Sequence, residues 1–103
     1  MGRGCWSPSY EACLCHELGL RGIPFKCQRE LPITYKGLVL EPGYRIDLLV
    51  DDQVVVEIKA VEKILPIHEA QLLTYLRLSG KRIGLLINFN VPVLKDGIVR
   101  RVL

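Results

Sequence analysis

No stretch of these 103 residues approaches the roughly 20 uninterrupted apolar positions of a membrane-spanning helix. The N-terminus has one early arginine but lacks the apolar core of a secretory signal. These two absences point away from a membrane partner and from secretion, and toward a cytoplasmic protein. Internal repeats and low-complexity tracts are also missing. The four cysteines, Cys5, Cys13, Cys15 and Cys27, contain no Cys-x-x-Cys pair. On a helix Cys13 and Cys15 stand about 200° apart, too far round to share a ligand. Reduced thiols packing as small hydrophobes are therefore expected, rather than a zinc or iron–sulfur centre. Charge of one sign is not abundant: the net charge of +3 is compatible with a polyanionic partner without requiring one.

The composition is half hydrophobic and about a quarter charged, which suits one folded domain over residues 1–103. Ser7-Pro8 reads as the start of a helix, with serine as N-cap and proline in the first helical position. That helix is expected from about Pro8 to Arg21, burying Ala12, Leu14 or Cys15, and part of Leu18, with Gly22 as its stop. Glu11 falls in its first turn, where a carboxylate suits the helix dipole. Ile23 to Leu31 reads as a strand ended by Pro32. Ile33 to Leu40 reads as a second, with Lys36-Gly37 as a turn or bulge inside it. Pro42-Gly43 is the next expected turn.

Tyr44 to Lys59 organises the rest. Two apolar, β-branched runs flank Asp51-Asp52-Gln53, the pattern of a hairpin. With a three-residue turn over 51–53, paired positions place Asp47 opposite Glu57. Lys59 lies on the same face as Glu57, because strand side chains alternate. A two-residue turn would scatter these charges over both faces. An odd-length loop needs a left-handed residue, which Asp52 tolerates. In this register Arg45 faces Lys59, an unfavourable pairing of like charges unless a bulge displaces it or a polyanion binds there. Two carboxylates beside a lysine suit a divalent-metal site next to a water-activating group. A plain ion cluster of Lys59, Glu57 and Asp47 would also offset the several kcal/mol that burying an unpaired carboxylate costs.

After a connector from Ala60 to Leu65, Pro66 opens a second helix that runs to Ser79 and stops at Gly80. Its expected apolar stripe is Ala70, Leu73 and Leu76, with Leu72 alongside. A second stripe, His68, Gln71 and Tyr75, is polar, so one face serves something other than core. The run Ile83-Gly84-Leu85-Leu86-Ile87 suits a strand buried on both faces and reached by a crossover. Asp96-Gly97 then turns into a last strand, Ile98 to Leu103. The basic pairs Lys81-Arg82 and Arg100-Arg101 would serve as phosphate contacts if they share a face with the carboxylates.

Asp47, then Glu57-x-Lys59, then a helix bearing Gln71-x-x-x-Tyr75, resembles the PD-(D/E)XK nuclease superfamily, especially its RecB-like branch. Tyr44-Arg-Ile-Asp-Leu-Leu-Val, Glu-Ile-Lys-Ala-Val, His-Glu-Ala-Gln-Leu-Leu-Thr-Tyr-Leu and Gly-Leu-Leu-Ile-Asn-Phe-Asn resemble the small GxxExxY family more closely. The resemblance covers about residues 8–103. It implies an α/β, restriction-endonuclease-like core: a mixed central sheet flanked by two helices, in the order α-β-β-β-β-α-β-β. It also implies Mg²⁺ (or Mn²⁺) held by Asp47, Glu57 and the backbone carbonyl of Ile58. Lys59 would position or deprotonate the attacking water, with Gln71 and Tyr75 contacting the metal's water shell or the nucleic acid. His68, Tyr10 and Ser7 are accessory candidates. The implied activity is phosphodiester hydrolysis on nucleic acid, DNA above all. Two departures stand out. Ser7 occupies the position of the family's first-helix glutamate, three residues before Tyr10, and Ile46 replaces the superfamily proline before the aspartate. Relatives also begin earlier, so a domain shortened at its N-terminus is expected. These departures keep a second reading open, a catalytically weak or inactive nuclease fold that binds nucleic acid or protein. A homodimer is compatible with either.

Overall fold

The computed structural model describes residues 9–103. They form α1 (Ser9–Leu20), β1 (Phe25–Tyr35), β2 (Leu38–Val50), β3 (Val54–Lys59), α2 (Pro66–Ser79), β4 (Ile83–Asn88) and β5 (Ile98–Val102), with a short 3-10 turn (Leu94–Gly97) before β5. The strands make one mixed sheet in the order β1-β2-β3-β4-β5. Only β3 and β4 run parallel. A parallel pair needs a crossover, and α2 supplies it. The α/β class, the mixed sheet and the two helices agree with the expected restriction-endonuclease-like core.

The element order is corrected at one place. Three strands, not four, lie between the helices, because neither proline-containing segment ends a strand. β1 continues through Pro32 with a shift of register between Leu31 and Ile33. It is an edge strand, where a missing N–H is tolerated, and a bulge absorbs the proline. β2 continues through Pro42-Gly43, and its pairing with β3 covers only Leu48 to Val50. Beyond that segment β2 is laddered to β1 alone, so its other side can take a residue that donates nothing. The real turn is Lys36-Gly37, both with positive φ (49° and 82°), the geometry of a tight hairpin.

Helix ends follow local chemistry. Gly22 is left-handed at φ 69°; its N–H reaches the Gly19 carbonyl at 3.1 Å, and the Ile23 N–H reaches the Leu18 carbonyl at 2.9 Å. This is the paired bonding of a Schellman stop. Gly80 ends α2 in the same left-handed conformation, with its N–H on Leu76.

Each face of the sheet carries a helix. On one, Leu72, Tyr75 and Leu76 of α2 pack on Ile46, Leu49, Val55 and Leu86. On the other, Cys15 of α1 packs on Leu48, Val56 and Ile87. The buried stripe of α2 is thus Leu72, Tyr75 and Leu76 rather than Ala70, Leu73 and Leu76; Ala70 is exposed. The helix is rotated so that Leu72 meets Gly84, where a Cβ would lie 2.8 Å from Leu72 Cδ1. The small residue on β4 draws that leucine in, and Tyr75 turns inward with it.

Candidate metal and nucleic-acid site

The hairpin has the three-residue turn. Leu48 pairs with Val56, Leu49 with Val55 and Val50 with Val54. Both Asp51 and Asp52 are left-handed (φ 52° and 55°). In this register the next pair is Asp47 with Glu57, and there the ladder gives way to a side chain. The Ile58 N–H donates to Asp47 Oδ2 at 2.8 Å. A side-chain acceptor in place of a backbone one splays the strands and opens a gap between β2 and β3.

That gap is the floor of a cleft of about 520 Å³. Asp47, Glu57, Ile58 and Lys59 line it from the hairpin, and Gln71 and Tyr75 from α2. Gln28, Glu30 and Arg45 complete its wall. Sequence parity and helical spacing therefore converge on one place. Glu57 is only 4% exposed, and its Oε2 has no hydrogen-bond partner among the described residues. Burial pushes its carboxyl up to about 9, the charge of Asp47 adds to the shift, and Lys59 opposes it.

The accessory candidates do not gather there. His68 Nδ1 accepts the Leu65 N–H at 2.9 Å, satisfying an orphan donor at the start of α2. Tyr10 stacks on Phe89, with ring centroids 4.9 Å apart. Ser7 lies outside the described residues. Three members of the basic pairs, Lys81, Arg82 and Arg101, are engaged elsewhere. Lys81 sits 3.4 Å from Asp52, at the opposite end of β3 from Lys59. Arg82 donates to the Leu103 carbonyl, and Arg101 pairs with Glu69. Arg45 does not face Lys59 across a ladder, because β2–β3 pairing is over before that point; it turns to β1, bonding Gln28 and pairing with Glu30.

Two residues, Gln28 in the cleft wall and Glu11 hydrogen-bonded to it, carry more than the sequence shows. Glu11 of α1, assigned there to the helix dipole, is buried and accepts a hydrogen bond from Gln28 Nε2 at 3.3 Å. Gln28 itself is left-handed (φ 51°) at the point where the β1–β2 ladder skips the pair it would make with Asp47. Neither carries a sequence signal: a first-turn glutamate and a strand glutamine are ordinary.

A sequence model of the PD-(D/E)XK nuclease superfamily matches residues 1–102. The chain belongs to the PD-(D/E)XK nuclease superfamily. No curated protein and no solved structure matches it. Nucleases of this superfamily typically use divalent metals, and the cleft fits one. An oxygen of a buried carboxylate without a partner, beside a second carboxylate, is a donor set for a hard divalent cation. A second group, Glu11, Cys15 and Cys27, brings its ligand atoms within 4.8 Å of one another. It suits such a cation poorly. Its sulfurs are soft donors, burial pushes the Cys15 thiol up to about 11, and Cys27 is disulfide-bonded. That disulfide also departs from the expectation that every thiol is reduced. Among the described residues no helix is long and apolar enough to cross a membrane.

Proposed function

We propose that this chain is a Mg²⁺-dependent phosphodiesterase acting on nucleic acid, with DNA as the substrate, in the manner of the GxxExxY and RecB-like relatives it resembles. The observation that carries the reading is the buried Glu57 Oε2, without a partner among the described residues, next to Asp47 in a cleft that also holds a lysine. Burying a carboxylate this way costs several kcal/mol unless something positive completes it.

Asp47, Glu57 and the Ile58 carbonyl would hold the cation. Bound there, Mg²⁺ supplies a Lewis acid that polarises a phosphoryl oxygen and acidifies coordinated water. The rest is the work of the chain. The Ile58 N–H fixes Asp47 Oδ2, so this carboxylate is oriented before any ligand arrives. Lys59 follows Glu57 on the same face of β3 and donates hydrogen bonds to the attacking water while its charge offsets that of the phosphate. Gln71 offers an amide from α2, able to donate and accept at the opposite wall of the cleft. Tyr75, packed in the core, holds that wall rigid.

The test is hydrolysis of end-labelled DNA with and without Mg²⁺ by wild type, Asp47→Ala and Lys59→Ala. Metal-dependent cleavage lost in both variants is the expected result. DNA binding without cleavage by the wild type would replace this reading with that of a binding domain.

A further inference from the structure

Among the described residues two cationic side chains line the cleft, Lys59 and Arg45, and the proposed chemistry uses only the first. We propose that Arg45 grips the phosphodiester backbone of the bound DNA at this cleft, and that Gln28 positions it. The inference rests on the nuclease reading and assigns a substrate contact within it.

The Arg45 guanidinium is loosely held. Its Nη1 donates to Gln28 Oε1 at 3.4 Å, and its Nη2 lies 3.6 Å from Glu30 Oε2. Both members of that ion pair are more than half exposed, and an exposed pair contributes little. A phosphate can therefore displace Glu30 at small cost, and the planar fork of five donors matches phosphate oxygens in a way a lysine does not.

Gln28 is built to aim it. The Glu11 carboxylate only accepts hydrogen bonds and the guanidinium only donates them. The amide between them has one orientation that satisfies both, Nε2 toward Glu11 and Oε1 toward Arg45, as found. Glu11 is buried on α1, so the chain Glu11–Gln28–Arg45 ties an exposed guanidinium to the interior. The left-handed backbone of Gln28 is a strained conformation for a residue with a long side chain. Such strain persists where the surroundings fix it, often at ligand sites.

The experiment measures fluorescence anisotropy of a labelled 20-base-pair duplex in Ca²⁺ over a series of salt concentrations. Arg45→Ala should weaken binding about tenfold and lower the slope of log affinity against log salt by about 1. Arg45→Lys should keep the slope while binding more weakly than wild type. Gln28→Asn suits a left-handed backbone but is too short to span both partners. Compared at matched folded fraction, it should weaken binding several-fold, and Mn²⁺ affinity should be unchanged in all three. If wild type binds and Arg45→Ala matches it in affinity and slope, the contact is refuted while the nuclease reading stands. If Gln28→Asn binds like wild type, the positioning role fails. If wild type does not bind DNA, the nuclease reading falls and takes this inference with it.

Discussion

Replacing Glu57 with glutamine should make the metal-free protein more stable at neutral pH. Glu57 is buried, one of its oxygens has no partner among the described residues, and its carboxyl rises from 4.5 to about 9. A carboxyl raised on folding keeps its proton in the native state while the unfolded chain loses it. The native state then binds more protons, so stability falls as pH rises from about 4.5 to about 9. At pH 7 the gap above 4.5, at 1.36 kcal/mol per unit, amounts to about 3 kcal/mol. Glutamine has nearly the same shape and cannot ionise, so Glu57→Gln should remove that loss. Urea unfolding in a chelator at pH 5, 7 and 9 would measure it. The variant's advantage should be under about 1 kcal/mol at pH 5 and about 3 kcal/mol at pH 7. Equal stabilities at all three pH values would refute the argument that Glu57 carries an uncompensated burial cost.

Asp47→Asn removes the second cause of the Glu57 shift while keeping an acceptor for the Ile58 N–H. The Glu57 carboxyl should then titrate below about 9 but above 4.5, as read by carbon NMR of its side chain; an unchanged value would separate the two groups. Asn88 is buried, and its side chain exchanges two hydrogen bonds with Val61, at 2.9 and 3.1 Å, clamping the connector after Lys59 to β4. Asn88→Ala should cost about 2–4 kcal/mol in urea unfolding, because both Val61 groups lose their partners.

The hairpin was legible in the sequence because only one loop length collects Asp47, Glu57 and Lys59 on a single face. The crossover was legible from Pro66, Gly80 and the apolar run that follows. What escaped depended on contacts between distant segments. Pro32 and Pro42 break a strand only where an N–H is needed, and strand order decides that. The rotation of α2 was set by Gly84 meeting Leu72, a contact no helical period contains. Glu11 read only as a first-turn carboxylate suited to the helix dipole, because its partner, Gln28, lies on another element and takes a backbone conformation that no local rule assigns to glutamine.

Calorimetric titration of Mn²⁺ into metal-free protein at pH 7, repeated in buffers of different ionisation heat, tests whether a divalent cation completes the Asp47–Glu57 pocket. A cation that displaces the proton held by Glu57 should release about one proton per site, and Asp47→Ala should abolish both heat and release. Binding without proton release, or equal binding by Asp47→Ala, would contradict it.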